Sequence, residues 1–461
     1  MDTIIRNGTV VTGTDQYRAD IEVRDGVIAT ISNAIEGSGG VEIDATDCFV
    51  IPGGVDVHTH LESPNFGATS VDDFQTGTTA AAWGGTTTII DFCQQEHGQS
   101  LAAALAEWHH HAGGHAAIDY GFHSIVVDPT PGVLDELRHL PDQGIPTFKI
   151  FLAYRGMSMV DDLTMARILD IARESGAMVM VHAENGDVVY HRQQNLIANG
   201  HTAPKFHATS RPPRVEAEAT ARAIALAELA AAPLYIVHVS CEESLEEIRR
   251  GRERGVQVWA ETCPQYLYTS EEDLDRPHFE GAKYVFTPPP RPKHHQAALW
   301  RALADGTLQA ISSDHSPWNF KGHKDLGRDD FTKIPNGGHG IEERMMLTYQ
   351  GVVDGHLSLS RFVDIVATSP AKLFGLYPQK GTIAIGSDAD MVIWDPQAEF
   401  TFSSRTHHSK LDYSMYEGLT VYGLPRTVLL RGTPVIQDRS KTSHQQNGRF
   451  LRRVLAPAGN R

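Results

Sequence analysis

Strand-like runs crowd both ends of the chain, with turn pairs between them. Ile4-Ile5 and Val10-Val11 flank Asn7-Gly8, and Ile21-Glu-Val23 and Val27-Ile28 flank Asp25-Gly26, so both pairs are expected as hairpin turns. The same character returns late, in Asp390-Met-Val-Ile-Trp394, Thr427-Val-Leu-Leu430 and Val435-Ile436. Two β segments at opposite ends most simply pair into one domain, with the middle of the chain inserted between them. The middle itself alternates. Apolar strand candidates cover 54–58, 86–92, 121–127, 147–152, 177–182, 233–238, 256–260 and 308–312, and helical periodicity covers 101–111, 133–139, 163–175, 214–231, 243–255 and 296–304. Eight strands alternating with helices predict an α/β chain built on a (β/α)8 barrel. The β-sandwich domain then comes from both termini. The expected boundaries are 1–51 and 375–440 for the sandwich, 52–374 for the barrel, and 441–461 for a tail that forms a possible inter-subunit arm. Because the tail carries Arg449, Arg452 and Arg453, it is expected on the surface or against a neighbouring subunit.

Composition narrows the picture only a little. The 461 residues suffice for a large core, and no run of about 18 apolar residues suggests a membrane span. The first residues lack the basic and apolar regions of a signal peptide. Four scattered cysteines, Cys48, Cys93, Cys241 and Cys263, each lie in or beside apolar segments, which suits reduced thiols and a cytoplasmic protein. A net charge of -17 disfavours nucleic acid and anionic membrane as partners. No glycine-rich nucleotide fingerprint follows the first barrel strand.

Chemistry gathers where the barrel strands end. The first strand closes on His58-Thr-His60, the fifth on His182, the sixth on His238 and the eighth on Asp314, while the fourth carries Lys149 in an otherwise apolar run. A strand-end histidine taken alone is an ordinary hydrogen-bonded residue, a strand lysine an edge residue, and an aspartate after a strand a helix cap. Six ligand-type residues at the ends of five strands are different, because a barrel brings those ends to one face. Imidazole and carboxylate suit zinc and its neighbours. A lysine buried there would lose its proton readily. Its neutral amine can take up carbon dioxide to form a carbamate, an anionic oxygen donor able to bridge two divalent ions. The triplet His109-His110-His111 lies on an outer helix away from that face and is expected as solvated surface.

This order of ligands resembles the amidohydrolase superfamily. Further runs narrow the resemblance to the hydantoinase/dihydropyrimidinase family, over nearly the whole chain. They are Pro52-Gly-Gly-Val-Asp-Val-His-Thr-His60, Gly84-Gly-Thr-Thr-Thr-Ile-Ile-Asp-Phe92, Phe148-Lys-Ile-Phe-Leu-Ala-Tyr-Arg-Gly156, Val181-His-Ala-Glu-Asn185, Phe279-Glu-Gly-Ala-Lys-Tyr284 and Ile334-Pro-Asn-Gly337. Ser210-Arg-Pro-Pro-Arg-Val-Glu-Ala-Glu-Ala-Thr220 brings it nearest the bacterial D-hydantoinase branch. The resemblance implies hydrolysis of the ring amide of cyclic ureides (5-substituted hydantoins, dihydropyrimidines) to N-carbamoyl amino acids by a hydroxide held between two metal ions. His58, His60, carbamylated Lys149 and Asp314 would hold one zinc, and Lys149, His182 and His238 the other, with manganese or cobalt as substitutes. Tyr154 would stabilise the oxyanion and Asp314 would act as general base. The main chains of Thr287, where the family usually has serine, and Asn336 would grip the ring. Leu61, Phe66, Met157 and Met159 are candidates for an apolar substituent pocket, and a homotetramer is implied.

Three rivals stay open from sequence. Dihydroorotases resemble the ligand set but place an arginine soon after His-x-His, where this chain has Leu61-Glu62, an acid expected to repel an anionic substituent. Allantoinases share the hydantoin ring as substrate. Non-catalytic dihydropyrimidinase relatives that serve as cytoskeletal assembly proteins have lost metal ligands, which this chain keeps.

Overall fold

The computed structural model describes residues 2–37, 40–442 and 447–456. Nine strands from the two ends of the chain share one sheet. These are β1 (Thr3–Val11), β2 (Gln16–Arg24), β3 (Val27–Ser32), β4 (Val41–Asp44), β5 (Phe49–Pro52) and, after the barrel, β16 (Met391–Thr401), β17 (Thr420–Leu430), β18 (Thr433–Gln437) and β19 (Ser440–Lys441). The two ends join where β5 pairs antiparallel with β16, from Met391 opposite Pro52 to Trp394 opposite Phe49. Ile5, Val10, Ile21, Val50, Met391, Ile393 and Leu429 bury together as this sheet's own core.

One of the two expected hairpin turns forms. Asp25 and Gly26 both take positive φ, 51° and 84°, which suits the tight turn between β2 and β3. Asn7-Gly8 instead sits inside β1, where the register against β2 shifts between Ile5 and Gly8. Asn7 has φ 64°, so the pair is a bulge. Glycine is required there because a Cβ would stand 2.4 Å from Val50 Cγ2.

The inserted middle forms eight parallel strands in a nearly closed barrel. In order they are β6 (Gly54–Thr59), β9 (Thr86–Gln94), β10 (Asp119–Ile125), β11 (Thr147–Phe151), β12 (Met178–His182), β13 (Leu234–Ile236), β14 (Val258–Thr262) and β15 (Ala310–Ile311). Between β6 and β9 lies a two-strand hairpin of β7 (Pro64–Asn65) and β8 (Ala68–Thr69). The expected outer helices are present, from Leu101–Ala112 to His294–Asp305. Three more, Phe74–Trp83, Gly186–Ala198 and Arg344–Val353, were not legible as helices because polar and small residues interrupt their apolar stripes. Both faces of the barrel wall are covered, so its strands are buried along almost their whole length, polar positions such as Asp56, Asp91 and Glu261 included. Val179 and Val181 of β12 pack outward with the helices, while Met178 and Met180 pack inward with Phe92, Tyr235 and Phe374.

β6 and β15 do not pair as strands. Backbone pairing across that seam is limited to a bridge between Thr59 and His315, with the His60 N–H bonding to His315 O at 2.8 Å, and side chains span the rest. Asp56 Oδ1 accepts the His58 N–H at 3.3 Å and the Ser313 N–H at 3.1 Å, and Ser313 Oγ donates to His58 O at 3.2 Å. The fully buried Arg344 donates to Ile311 O at 3.0 Å and Thr86 Oγ1 at 2.9 Å, with Asp56 3.6 Å from its Nε.

The tail is only in part the surface segment expected. Residues 443–446 and 457–461 lie outside the described residues, but 447–456 pack against their own barrel. Tyr120 N–H bonds to Arg449 O at 3.0 Å, and Leu451 N–H to Tyr120 O at 2.7 Å. Leu451 and Leu455 join the inward-facing barrel core, and Arg453 is fully buried, donating to Thr147 Oγ1 at 2.9 Å and to Phe122 O. Arg449 and Arg452 remain exposed. Periodicity carries no sign of this because the segment makes its bonds to barrel residues rather than within itself.

Lys380 knits the tail, sheet and barrel together. Its buried ammonium donates to Asp119 at 2.6 Å and Asp390 at 2.7 Å, and lies 2.9 Å from Asp388. Arg431 also reaches Asp119, and the Arg449 N–H bonds to it at 2.9 Å. Burial alone would lower the Lys380 pKa, but Asp390, Asp119 and Asp388 outweigh it and hold the cation well above the usual lysine range. Removing one partner from such a buried cluster costs about 3–5 kcal/mol. Lys380→Met is therefore expected to lower stability by about that amount in urea titration, and a loss below about 1 kcal/mol, the scale of an exposed pair, would show the network to be idle.

Candidate metal centre and substrate cavity

The end of β6 brings His58 and His60 over the ring of Phe92, at centroid distances of 4.7 and 5.0 Å. Glu261, on β14, lies 2.5 Å from His58 Nδ1, and Tyr235 donates to its other oxygen at 3.1 Å. His58 Nε2 is thereby turned toward Asp314 Oδ1, 3.0 Å away, and His60 Nε2 lies 3.4 Å from the same atom. Lys149 Nζ stands 4.9 Å from the Phe92 ring centre and 5.0 Å from that of Phe151. The His182 and His238 rings are 4.6 Å apart, and His238 is 5.4 Å from His58. All six predicted ligand residues line one cavity.

Strand alternation delivers only part of this set. On β11, Phe148 and Ile150 pack outward, so Lys149 faces in, and on β12, His182 shares the inward parity of Met178 and Met180. His238 does not follow the rule. Leu234 and Ile236 face the helices while Tyr235 and Val237 face inward, so continued alternation would send His238 out. A left-handed turn at His238, φ 38°, breaks the pattern and returns its ring to the cavity. Asp314, φ 49°, and Tyr154, φ 63°, share this backbone state. Such conformations persist only where the surroundings hold them, and they cluster at functional sites.

The donors fit a divalent metal. Ligand atoms of His58, His238 and Asp314 all lie within 4.8 Å of one another. His58 Nε2 and His238 Nδ1 are buried without a hydrogen-bond partner, which costs free energy unless another group takes the lone pair. Three of the four imidazoles are held neutral, whereas the Asp314 and Glu261 carboxylates outweigh burial at His58 and raise its pKa. Burial pushes His60 down to about 4 and lowers His182 and His238, leaving neutral imidazoles. Asp314 stays ionised because His58 and His60 overcome its burial. Burial brings Lys149 down to about 7, so much of its amine is neutral near that pH.

A supporting ring of acids escaped the sequence reading. Glu184 accepts from His182 Nε2 at 2.8 Å and from Arg211 at 2.7 Å. Asp91 accepts from Thr59 Oγ1 at 2.6 Å, Leu61 N–H at 2.9 Å and Trp108 Nε1 at 2.9 Å, bracketing His60. The available signal was an acid inside an apolar strand, as in Val258-Trp-Ala-Glu-Thr262.

Tyr154, Thr287 and Asn336 line the same cavity. Burial raises the Tyr154 phenol, while the Arg211 cation and the Thr287 and Asn336 side chains pull it back. The main-chain N–H and C=O groups of Thr287 and Asn336 bond to no other backbone group among the described residues. Of the four apolar candidates, Phe66 and Met157 line the cavity. Leu61 is fully buried against Gly77, and Met159 pairs with Phe151 and packs on Gly186, so neither lines it. Glu62 also departs from expectation. It accepts the Phe74 N–H at 3.1 Å, at the start of a helix, and does not line the cavity, so it makes no direct contact with a substituent there. The cavity lining contains no arginine to receive an anionic substituent either.

The amidohydrolase family model matches residues 49–435. The D-hydantoinase of Ralstonia pickettii is 57% identical over 453 residues, covering 98% of this chain and 99% of its own. A solved D-hydantoinase structure superposes with a TM-score of 0.97 at 57% identity, over 98% of this chain and 99% of that one. The dihydropyrimidinase of Brevibacillus agri NCHU1002 superposes with a TM-score of 0.97 at 49% identity, over 99% and 100%.

Because Glu261 orients His58, Glu261→Ala is expected to weaken divalent metal binding by about 10–100-fold. Chelator competition measures it, and an unchanged affinity would mean that packing alone holds the imidazole.

Proposed function

The chain belongs to the amidohydrolase family, and on that premise we propose that it hydrolyses the ring amide bond of cyclic ureides, 5-substituted hydantoins and dihydropyrimidines, to N-carbamoyl amino acids. The observation that carries the reading is a single cavity holding the metal-type donors together with Tyr154 and the open main chains of Thr287 and Asn336. Water adds to the ring carbonyl, the C–N bond breaks, and the leaving nitrogen takes a proton.

In this reading His58, His60, Lys149 and Asp314 would hold one divalent ion, and Lys149, His182 and His238 the second. The imidazole-rich donor set favours zinc, with manganese or cobalt able to take the same positions. Bound there, the pair of ions lowers the pKa of water toward about 7 and polarises the carbonyl. Lys149 enters as its carbamate, formed when the neutral amine attacks carbon dioxide and loses a proton. The mechanism asks Asp314 to take the proton of the attacking water and hand it to the ring nitrogen. Tyr154 donates its hydroxyl hydrogen to the carbonyl oxygen as charge develops. The Thr287 and Asn336 main chains hold the ring's amide and imide edges, and Phe66 and Met157 meet the exocyclic substituent.

The same reading assigns a homotetramer in the cytoplasm. Four free, buried cysteines fit a reducing compartment. No helix among the described residues is long and apolar enough to cross a membrane.

Two measurements test the proposal. The metal-loaded enzyme should open 5-substituted hydantoins and dihydrouracil in preference to allantoin, and Tyr154→Phe should lower kcat by about 10²–10³, the scale of one oxyanion donor. Activity on allantoin alone would replace the substrate assignment. Carbamate formation needs the neutral amine, so with Lys149 depressed to about 7 its rate in metal-free protein should fall about tenfold per pH unit below 7 and level off above. Labelled bicarbonate, dosed to give the same dissolved carbon dioxide at every pH and followed by NMR, reads it. Indifference to pH there would remove Lys149 as the captor.

A further inference from the structure

Lys324 brings a cation into the protein interior that the proposed reaction does not use. The residue is completely buried, and its ammonium donates to three main-chain carbonyls, Val285 O at 2.8 Å, Pro335 O at 3.0 Å and Gly337 O at 2.9 Å. Burial pulls its pKa down with no carboxylate to offset it, so the three carbonyls are what favour the charged form. Taking a cation out of water without a counter-charge is unfavourable, and an apolar side chain of the same length would fill the space at less cost. The carbonyls supply the reason for the lysine. They come from two loops that share no secondary structure, and the Pro335 and Gly337 carbonyls receive no other backbone donor among the described residues.

Those loops are the ones assigned to the substrate. Val285 lies two residues before Thr287, and Pro335 and Gly337 flank Asn336. One backbone bond joins the loops directly, from Gly337 N–H to Val285 O at 3.1 Å. Lys324 is itself anchored, its N–H bonding to Asn319 O at 3.0 Å, while the next residue after Asn319, Phe320, bonds through its N–H to Asp412 at 2.7 Å. The ammonium is thus a fixed post to which both loops are tied.

We propose that Lys324 is a positioning residue for substrate binding, its ammonium setting the separation between the Thr287 and Asn336 main chains that grip the two edges of the ring. The inference rests on the reading of those main chains as the substrate grip. Lys324 makes no hydrogen bond to a metal-type donor or to Tyr154, so its loss acts on binding rather than on metal content or on the chemical step. A lysine that merely filled the core would shift stability and leave substrate affinity alone.

The test uses the full-length, metal-loaded protein carrying Lys324→Met, which keeps the stem and removes the donors. The expected result is a KM for a 5-substituted hydantoin raised tenfold or more, kcat within threefold, unchanged metal content, and faster amide exchange confined to the 285–287 and 335–338 loops. Lys324→Gln, which keeps a donor, should fall between the variant and the wild type. A folded variant with KM within twofold and unchanged loop exchange overturns the proposal, as does a loss of kcat and metal with KM intact. Should neither variant fold, wild-type exchange decides. The two loops must then gain protection together when a hydantoin analogue binds, and independent behaviour refutes the tie. Failure of the wild type to open any cyclic ureide would sink the functional reading separately, leaving the exchange data to judge the coupling of the loops.

Discussion

Between the first and last barrel strands backbone pairing shrinks to one bridge, at Thr59 and His315, and the Asp56 carboxylate spans the rest of the gap, taking one N–H from each side. His58 and His60 leave the first strand and Asp314 the last, so this seam sets how far apart those donors stand. A ladder would hold the strand ends at the usual spacing of 4.7–4.9 Å and impose its own register. Side-chain bridges permit the bend at Asp314 that places its carboxylate 3.0 Å from His58 Nε2. Arg344, bonded to Ile311 O and Thr86 Oγ1, supports the same seam from beneath. The geometry of the candidate metal centre is therefore a property of barrel closure as much as of the ligands.

Burial and neighbouring charge then decide the chemical form of the donors, with the Asp314 and Glu261 carboxylates favouring the proton on His58. Packed over Phe92 and away from water, His60 and Lys149 lose their protons more readily than in solution, while Asp314 keeps its charge through the imidazoles around it. Neutral nitrogen, a reactive amine and a carboxylate are the states that metal binding needs. Acids one layer out, Glu261 and Glu184, hold two of the rings by their other nitrogen, fixing where the free lone pair points. Lys149 and Lys324 show how the same depressed ammonium serves different ends. The first faces the cavity with no hydrogen bond to satisfy it, and the second spends its three donors on carbonyls.

Much of the fold was legible because parallel barrel strands are covered on both faces and so read as largely apolar runs, most of them followed by helical periodicity. The candidate ligands were legible because polar residues ending such runs stand out. Less visible were features whose signal is not local. Asn7-Gly8 has the composition of a hairpin turn but forms a bulge, because β1 continues to pair with β2 on both sides of it. Arg453 resembles a solvent residue but fills the base of the barrel, because carbonyl and hydroxyl groups from other strands receive it there. Leu61 and Phe66 look equivalent in a rim loop, yet one packs on Gly77 and the other lines the cavity.

By itself the sequence determined which elements form and which residues end them, since both depend on the spacing of apolar positions and on side-chain chemistry at fixed points. The inward aim of Lys149 and His182 follows from strand alternation and belongs to that part. Tertiary structure alone decided that His238 turns inward, that Asp314 meets His58, and that Glu62 turns away to a helix end. Those outcomes depend on left-handed backbone states and on partners more than 200 residues apart, such as His58 and Glu261. A local pattern has no means of encoding either, because the contacts that stabilise them exist only once the barrel has closed.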